Sequence, residues 1–477
     1  MFCLLLVGCA AAQPHTPKLL APVLRALHYT VAVDPRLEQL TVALCFEGQP
    51  PAQLVYGTKQ ASQFLRAVHV LADGRALPVE HGRIALPKLA ADSCIVYGVD
   101  LRQALAFDAL MLAYPGDGAL LFSTDLFLWR PEQRSPQLQS QVRFELPEGV
   151  RVSTPWPLPP APDTYALDER AFAFTGHIVL GRFATRTLAA PAAELQLTIM
   201  PGFTSDQYAV VADWITRSAA VASAPAHAFP VTRAQVIIAP SSPSPYPIHF
   251  GHTGRSGGAS MVLFVPTDIT ADALRADWIA IHEFSHLWHP FIRREDAWLS
   301  EGLATYLQEV LRARAGLVTP SSVWQRLYEG AQLGRETAHT LADETRRMAF
   351  EHNYRRVYWA GAAIALLLDV QLRRDGLSLD VLLARLHARP ELFMRMLSAH
   401  ELLRVLDELA AAELSQPVCE ALASRYLTAG LPDLTALYAE LGIDPATGEP
   451  SANGGPLAHV RDAILAETPR DQNTHIP

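Results

Sequence analysis

The sequence predicts an α+β multidomain protein: β-rich at the N-terminus, mixed in the middle and helical at the C-terminus. Three observations predict it. The 477 residues leave room for about three domains at roughly 150 residues each. From about residue 25 to 200 apolar and polar residues alternate, which is the period of half-buried strands. After Thr270 the apolar residues recur every three or four positions, the period of amphipathic helices.

Met1–Ala12 is a short apolar run ending in small residues, too short to span a bilayer and similar to a secretory signal. Within it Leu6-Val7-Gly8-Cys9 resembles a bacterial lipobox. The expectation is an exported protein, periplasmic or membrane-anchored, with a lipid anchor at Cys9; plain cleavage after Ala12 is the other route. Strands follow at Tyr29–Val33, Gln141–Leu146 and Glu194–Ile199, divided by Pro and Gly turns. The Pro-dense stretch Pro155–Pro162, with Trp156 inside it, is expected as a long surface connection. A helix around Tyr208–Ser223, a strand at Gln235–Ile238, a Ser/Pro-rich loop and a strand at Ala259–Val265 mark the mixed region. Helical spacing then runs through 271–288, 300–315, 354–373 and 378–427, with a last short helix near Leu457–Leu465.

Composition narrows the function. Hydrophobic residues make up 50% and charged residues 18%, which excludes a disordered chain. Acidic residues outnumber basic ones 48 to 39, so no counterion-releasing basic surface is implied and nucleic acid is not an expected partner. Cys45 and Cys94 both lie in strand-like segments. Export would permit a bridge between them, and a pair of buried free thiols is the equal alternative.

The chemistry concentrates in Ile281–Trp288. His282 and His286 are one helical turn apart, so both imidazoles project from one face. Thr270 can cap a helix running through 271–288, with Asp272 and Asp277 in its early turns and Pro290 at its end. Glu283 is rotated about 100° from His282 and is left free to act as a base on an attacking water. Glu301 opens a second amphipathic helix and offers a third ligand. Two imidazoles and one carboxylate with an open fourth position are the donor set of catalytic zinc, so one Zn2+ is expected on His282, His286 and Glu301. His289 is expected to pack at the helix end.

His282-Glu-Phe-Ser-His286 followed by Trp298-Leu-Ser-Glu-Gly302 resembles the gluzincin metallopeptidases, in which the helix after the motif supplies the third ligand. Fourteen residues separate His286 from Glu301, fewer than in the large aminopeptidase family. Val357–Asp369 with Leu372–Asp380 is similar to the glycyl aminopeptidase family. These resemblances imply a thermolysin-like catalytic domain over 191–375, preceded by a signal segment (1–19) and a β-rich domain (20–190) and followed by a helical domain (376–477). They imply that Tyr358 is a catalytic tyrosine donating to the oxyanion, with Tyr354, one turn earlier, as its competitor. They also imply an aminopeptidase-like peptidase with a peptide or protein substrate.

One departure bears on that activity. Where such aminopeptidases carry an acid for the substrate amine, His252–Met261 has none, which leaves exopeptidase and endopeptidase both open. Gly257 and Gly258 are expected to let an edge strand approach the substrate backbone. The alternatives are another zinc hydrolase on the same scaffold and a cell-surface binding lipoprotein that retains the fold. A binder has no need of Glu283.

Overall fold

The computed structural model describes residues 23–107, 111–135, 137–157, 161–243, 246–335, 339–428 and 432–466. The signal-like segment with Cys9 lies outside the described residues, as do positions 158–160 of the Pro-dense stretch. The architecture is the α+β one expected: β-rich first, helical last.

In the N-terminal part, Ala26–Val33 pairs antiparallel with Gln39–Glu47 and parallel with Gln139–Glu145 inside a six-stranded sheet. Alternation along Gln39–Glu47 puts Leu40, Val42, Leu44 and Phe46 on the buried face. Cys45 faces Cys94 on the neighbouring strand and is bonded to it. Trp156 corrects the sequence-based expectation of a surface connection. It is fully buried, and its ring stacks on Phe144 at 6.3 Å between centroids. Proline prevents a regular element there, but the apolar area of the indole still drives the segment inward.

A five-stranded sheet comes next, in the order Ala184–Ala190, Ala193–Ile199, Arg233–Ser241, Ala259–Pro266 and Phe250–Gly254. The three inner strands are parallel and the last is an antiparallel edge. Both faces of Ala259–Pro266 are covered. Met261, Leu263 and Val265 pack with Trp214 and Ile215 of the helix Ser205–Ala222, while Val262 and Phe264 pack with Leu121 and Val179 of the N-terminal part. A strand with two buried faces reads as a continuous apolar run, as this one does.

The helix expected through 271–288 is two helices. Thr270 caps Ala271–Ala276, and a second helix, the motif helix, spans Ile279–Ser285 and continues as a tight turn over His286–Trp288. Asp277 makes the break. Its backbone is extended, and its carboxylate accepts from the N–H groups at the start of the motif helix, Ala280 among them at 3.3 Å. A residue acting as a cap leaves the helical conformation, so continuity is lost where the cap is gained.

One apolar core runs from Ile281 to Ile464 and takes in helices on both sides of residue 375. At its centre the helix Ala297–Arg314, the ligand helix, crosses the helix Tyr354–Arg374, the tyrosine helix. They meet backbone to backbone. A Cβ at Gly302 would lie 2.3 Å from the Gly361 carbonyl carbon, and one at Gly361 would lie 2.0 Å from the Trp298 oxygen.

Two predictions follow from these contacts. Gly361→Ala forces the two helices apart, which should cost about 1–3 kcal/mol in denaturant unfolding; a variant with unchanged stability contradicts the contact. Burial pushes the Asp277 carboxyl up to about 7. The folded protein therefore holds this proton at pH values where the unfolded chain, with a pKa near 4, has released it. The stability this group contributes is present below about pH 4 and lost as pH rises through about 7. Asp277→Asn should accordingly gain in Tm over the parent as pH is raised from about 4.5 to 8. A gain independent of pH would mean that Asp277 titrates as an ordinary aspartate.

Candidate active site

The motif helix lies between the edge strand Phe250–Gly254 and the ligand helix, so its chemistry is bracketed from both sides. His282 and His286 turn their Nε2 atoms toward Glu301, which approaches to 3.3 Å and 3.5 Å respectively. The three potential ligand atoms all lie within 4.8 Å of one another. Burial disfavours charge on His282, but the Glu301 carboxylate prevails and raises its pKa. Burial likewise disfavours ionised Glu301, yet the two imidazoles hold it well below the usual carboxylate range.

Outer partners fix both imidazoles. Gln308 donates from Nε2 to Glu309 at 2.7 Å, which turns its Oε1 toward His282; at 3.1 Å that oxygen accepts from His282 Nδ1–H. Arg326 Nε in turn donates to Glu309 at 2.7 Å. Ser300 Oγ lies 3.2 Å from His286 Nδ1 and does the same for the second ring. With each Nδ1 engaged, each Nε2 offers a lone pair beside an ionised carboxylate. This donor set and its outer partners fit a zinc ion.

Glu283 does not join the cluster. Its carboxylate lies against the edge strand, where the Thr253 hydroxyl is 2.8 Å from Oε2 and a Cβ at Gly251 would lie 2.8 Å from Oε1. Glycine is required at 251 so that the carboxylate can rest there. Tyr358 stacks on His282 with centroids 6.0 Å apart and planes 8° from parallel. Burial, with the Glu301 and Glu283 carboxylates beside it, pushes its phenol far up. Tyr358 lines the cleft, whereas Tyr354, 38% exposed, is not among the cleft residues.

The cleft over these groups measures about 960 Å³, with Tyr246, Phe250, Trp278, Met348 and Met396 as its apolar lining. Gly257 and Gly258 do not serve it as expected. A Cβ at Gly258 would lie 1.8 Å from the Pro155 oxygen, and one at Gly257 would lie 2.7 Å from the Trp156 ring, so both glycines admit the Pro-dense stretch rather than a substrate. His289 is buried, and its Nδ1 lies 2.8 Å from the Pro290 carbonyl.

Gln308, Ser300, Thr253 and Arg255 also belong to the site and were not singled out from the sequence. Gln308 had a usable signal, because it follows Glu301 by two helical turns on the same face. Thr253 had none, since its partner lies on another element thirty residues away. Replacing His282, His286 or Glu301 by alanine should strip most of the metal. Gln308→Leu and Ser300→Ala should each weaken it about 10- to 100-fold in chelator competition. Retention at parental affinity in the last two would mean that the outer partners do not orient the rings.

Two helix imidazoles and a carboxylate from the following helix thus converge beside an edge strand. No family model and no curated protein matches the chain by sequence. Solved structures share its fold. An aminopeptidase N family protein from Idiomarina loihiensis superposes with TM-score 0.68 at 15% identity, over 87% of this chain and 78% of that one. Native yeast LTA4 hydrolase gives 0.52 at 13% identity over 90% and 73%. The M1 zinc metallopeptidase from Deinococcus radiodurans gives 0.51 at 17% over 85% and 94%. At these identities the likeness is one of fold.

Proposed function

We propose that the protein is a zinc-dependent peptidase of the gluzincin type. The observation that carries this is the convergence of His282, His286 and Glu301 beside a separately held carboxylate, Glu283. A binding protein gains nothing from a base kept apart from the ligands. Zinc, when bound, supplies Lewis acidity toward a carbonyl and lowers the pKa of water.

The chain's own residues do the rest. Among the described residues the edge strand pairs only with Ala259–Pro266, so its other side can take an extended peptide as an added strand. Glu283 accepts the proton of the attacking water as the new C–O bond forms. It returns that proton to the amine as the C–N bond breaks. Thr253 and Gly251 hold the carboxylate for this task. The Tyr358 hydroxyl donates to the carbonyl oxygen as charge develops on it.

We favour cleavage without selection for a free amine. Among the described residues four carboxylates line the cleft: Glu301 as a ligand, Glu283 as the base and Asp277 as a helix cap, which leaves the exposed Glu295. An aminopeptidase holds a desolvated ammonium and needs an acid buried with it. The exported, Cys9-anchored setting belongs to the same proposal. The Cys45–Cys94 bridge supports an oxidising compartment.

Digestion of a peptide library with mass spectrometry of the products tests the activity. Glu283→Gln should keep its zinc and lose about 10²–10⁴-fold in kcat. Tyr358→Phe should lower kcat with little change in KM. N-acetylation of a substrate should leave kcat/KM nearly unchanged. No cleavage by zinc-loaded protein, or equal rates with Glu283→Gln, would sink the peptidase proposal; strict dependence on a free amine would restore an aminopeptidase.

A further inference from the structure

Arg255 follows the edge strand directly and lines the cleft, yet it is only 7% exposed. Its Nη2 donates to the His286 carbonyl, and its guanidinium carbon lies 5.8 Å from the centre of the Phe393 ring. Nη1 is shielded from solvent and has no hydrogen-bond partner. Among the described residues no carboxylate lies within ion-pair distance of Arg255. The charged group whose field acts on it is another cation, Arg170, which is tied to Asp168 at 2.6 Å. The imidazoles whose fields it shares, His289 and His387, carry no negative charge in any protonation state at neutral pH.

A buried cation without an anion is costly, and a guanidinium with an unused N–H pair is costlier still. The C-terminal capping of the motif helix accounts for Nη2 and leaves Nη1 unexplained. This cation stands in the stretch His252–Met261, which has no acid. The cleft is therefore equipped there for the opposite charge from an ammonium.

Building on the peptidase proposal, we infer that Arg255 is a specificity-determining residue that receives a substrate carboxylate. A peptide offers this group in two places, at its C-terminus or on an Asp or Glu side chain. Either would approach the guanidinium from the cleft that Arg255 lines and take a charge-assisted hydrogen bond from it. The substrate class is thus peptides that carry a carboxylate near the scissile bond.

The test uses N-acetylated peptides made in matched pairs. One arm compares a free C-terminal acid with its amide; the other compares Asp or Glu with Asn or Gln at each position. For the parent protein kcat/KM should favour the acid at least about tenfold in one arm, and that arm identifies the source. Arg255→Met should bring the ratio close to one, while Arg255→Lys, which keeps a cation, should retain part of it. Because each ratio is taken within one variant, general damage to the fold cancels.

The same pairs are titrated calorimetrically onto Glu283→Gln, where affinity is read without turnover. Acid-selective binding that depends on Arg255 but comes with no hydrolysis by the parent protein, of the acetylated pairs or of their free-amine forms, supports the inference and rejects the peptidase proposal alone. Hydrolysis with a ratio near one in both arms overturns the inference and leaves the peptidase standing. A ratio unchanged in Arg255→Met, or binding of neither form, overturns it as well.

Discussion

The contact between Gly302 and Gly361 is the constraint on which the site depends. Neither residue has room for a side chain, so the ligand helix and the tyrosine helix approach as closely as two backbones can. Glu301 immediately precedes one glycine, and Tyr358 lies just under a turn before the other. The crossing therefore sets the carboxylate and the phenol at a fixed separation over His282. Helix packing usually leaves some latitude in distance because side chains interdigitate at several depths. Direct backbone contact removes that latitude.

The polar interior is organised with similar economy. From His282 a chain of side chains runs through Gln308 and Glu309 to Arg326, each group satisfying the next. Such a chain in a region of low dielectric is rigid because every alternative orientation leaves a buried atom unpaired. Orientation of the ring is thereby anchored more than one side chain away from the ligand cluster. Arg255 differs from Arg312 and Arg326, which both face Glu309: among the described residues it has no carboxylate beside it, and its Nη1 is unsatisfied.

Much of this was legible in the sequence, for local reasons. Helical periodicity alone puts His282 and His286 on one face, and the strands from Tyr29 onward show in a simple alternation. What was not legible depends on contacts between distant segments. Trp156 sits among prolines, and nothing near it in the chain reveals that Phe144 awaits it. Asp277 fits the early turns of one helix as well as a cap between two, and only the fold distinguishes these roles. Gly302 is visible as a letter after Glu301, but its meaning lies in Gly361. The glycine pair 257–258 likewise suits close approach of any backbone, and it is Pro155 that approaches.

The strand Ala259–Pro266 has no face turned to water, since successive residues enter two different cores. Polarity is thus hardly available to it as a variable, and the remaining freedom is volume. A larger residue on one side can be accommodated by a smaller neighbour on that side without disturbing the other, because the two cores do not share side chains. Cores of this kind tolerate extensive replacement as long as volume and pattern are kept. The sheet can in this way drift through compensated exchanges, one core at a time, while its edge strand stays in register. A fold recognisable at 15% identity is the expected outcome of that freedom.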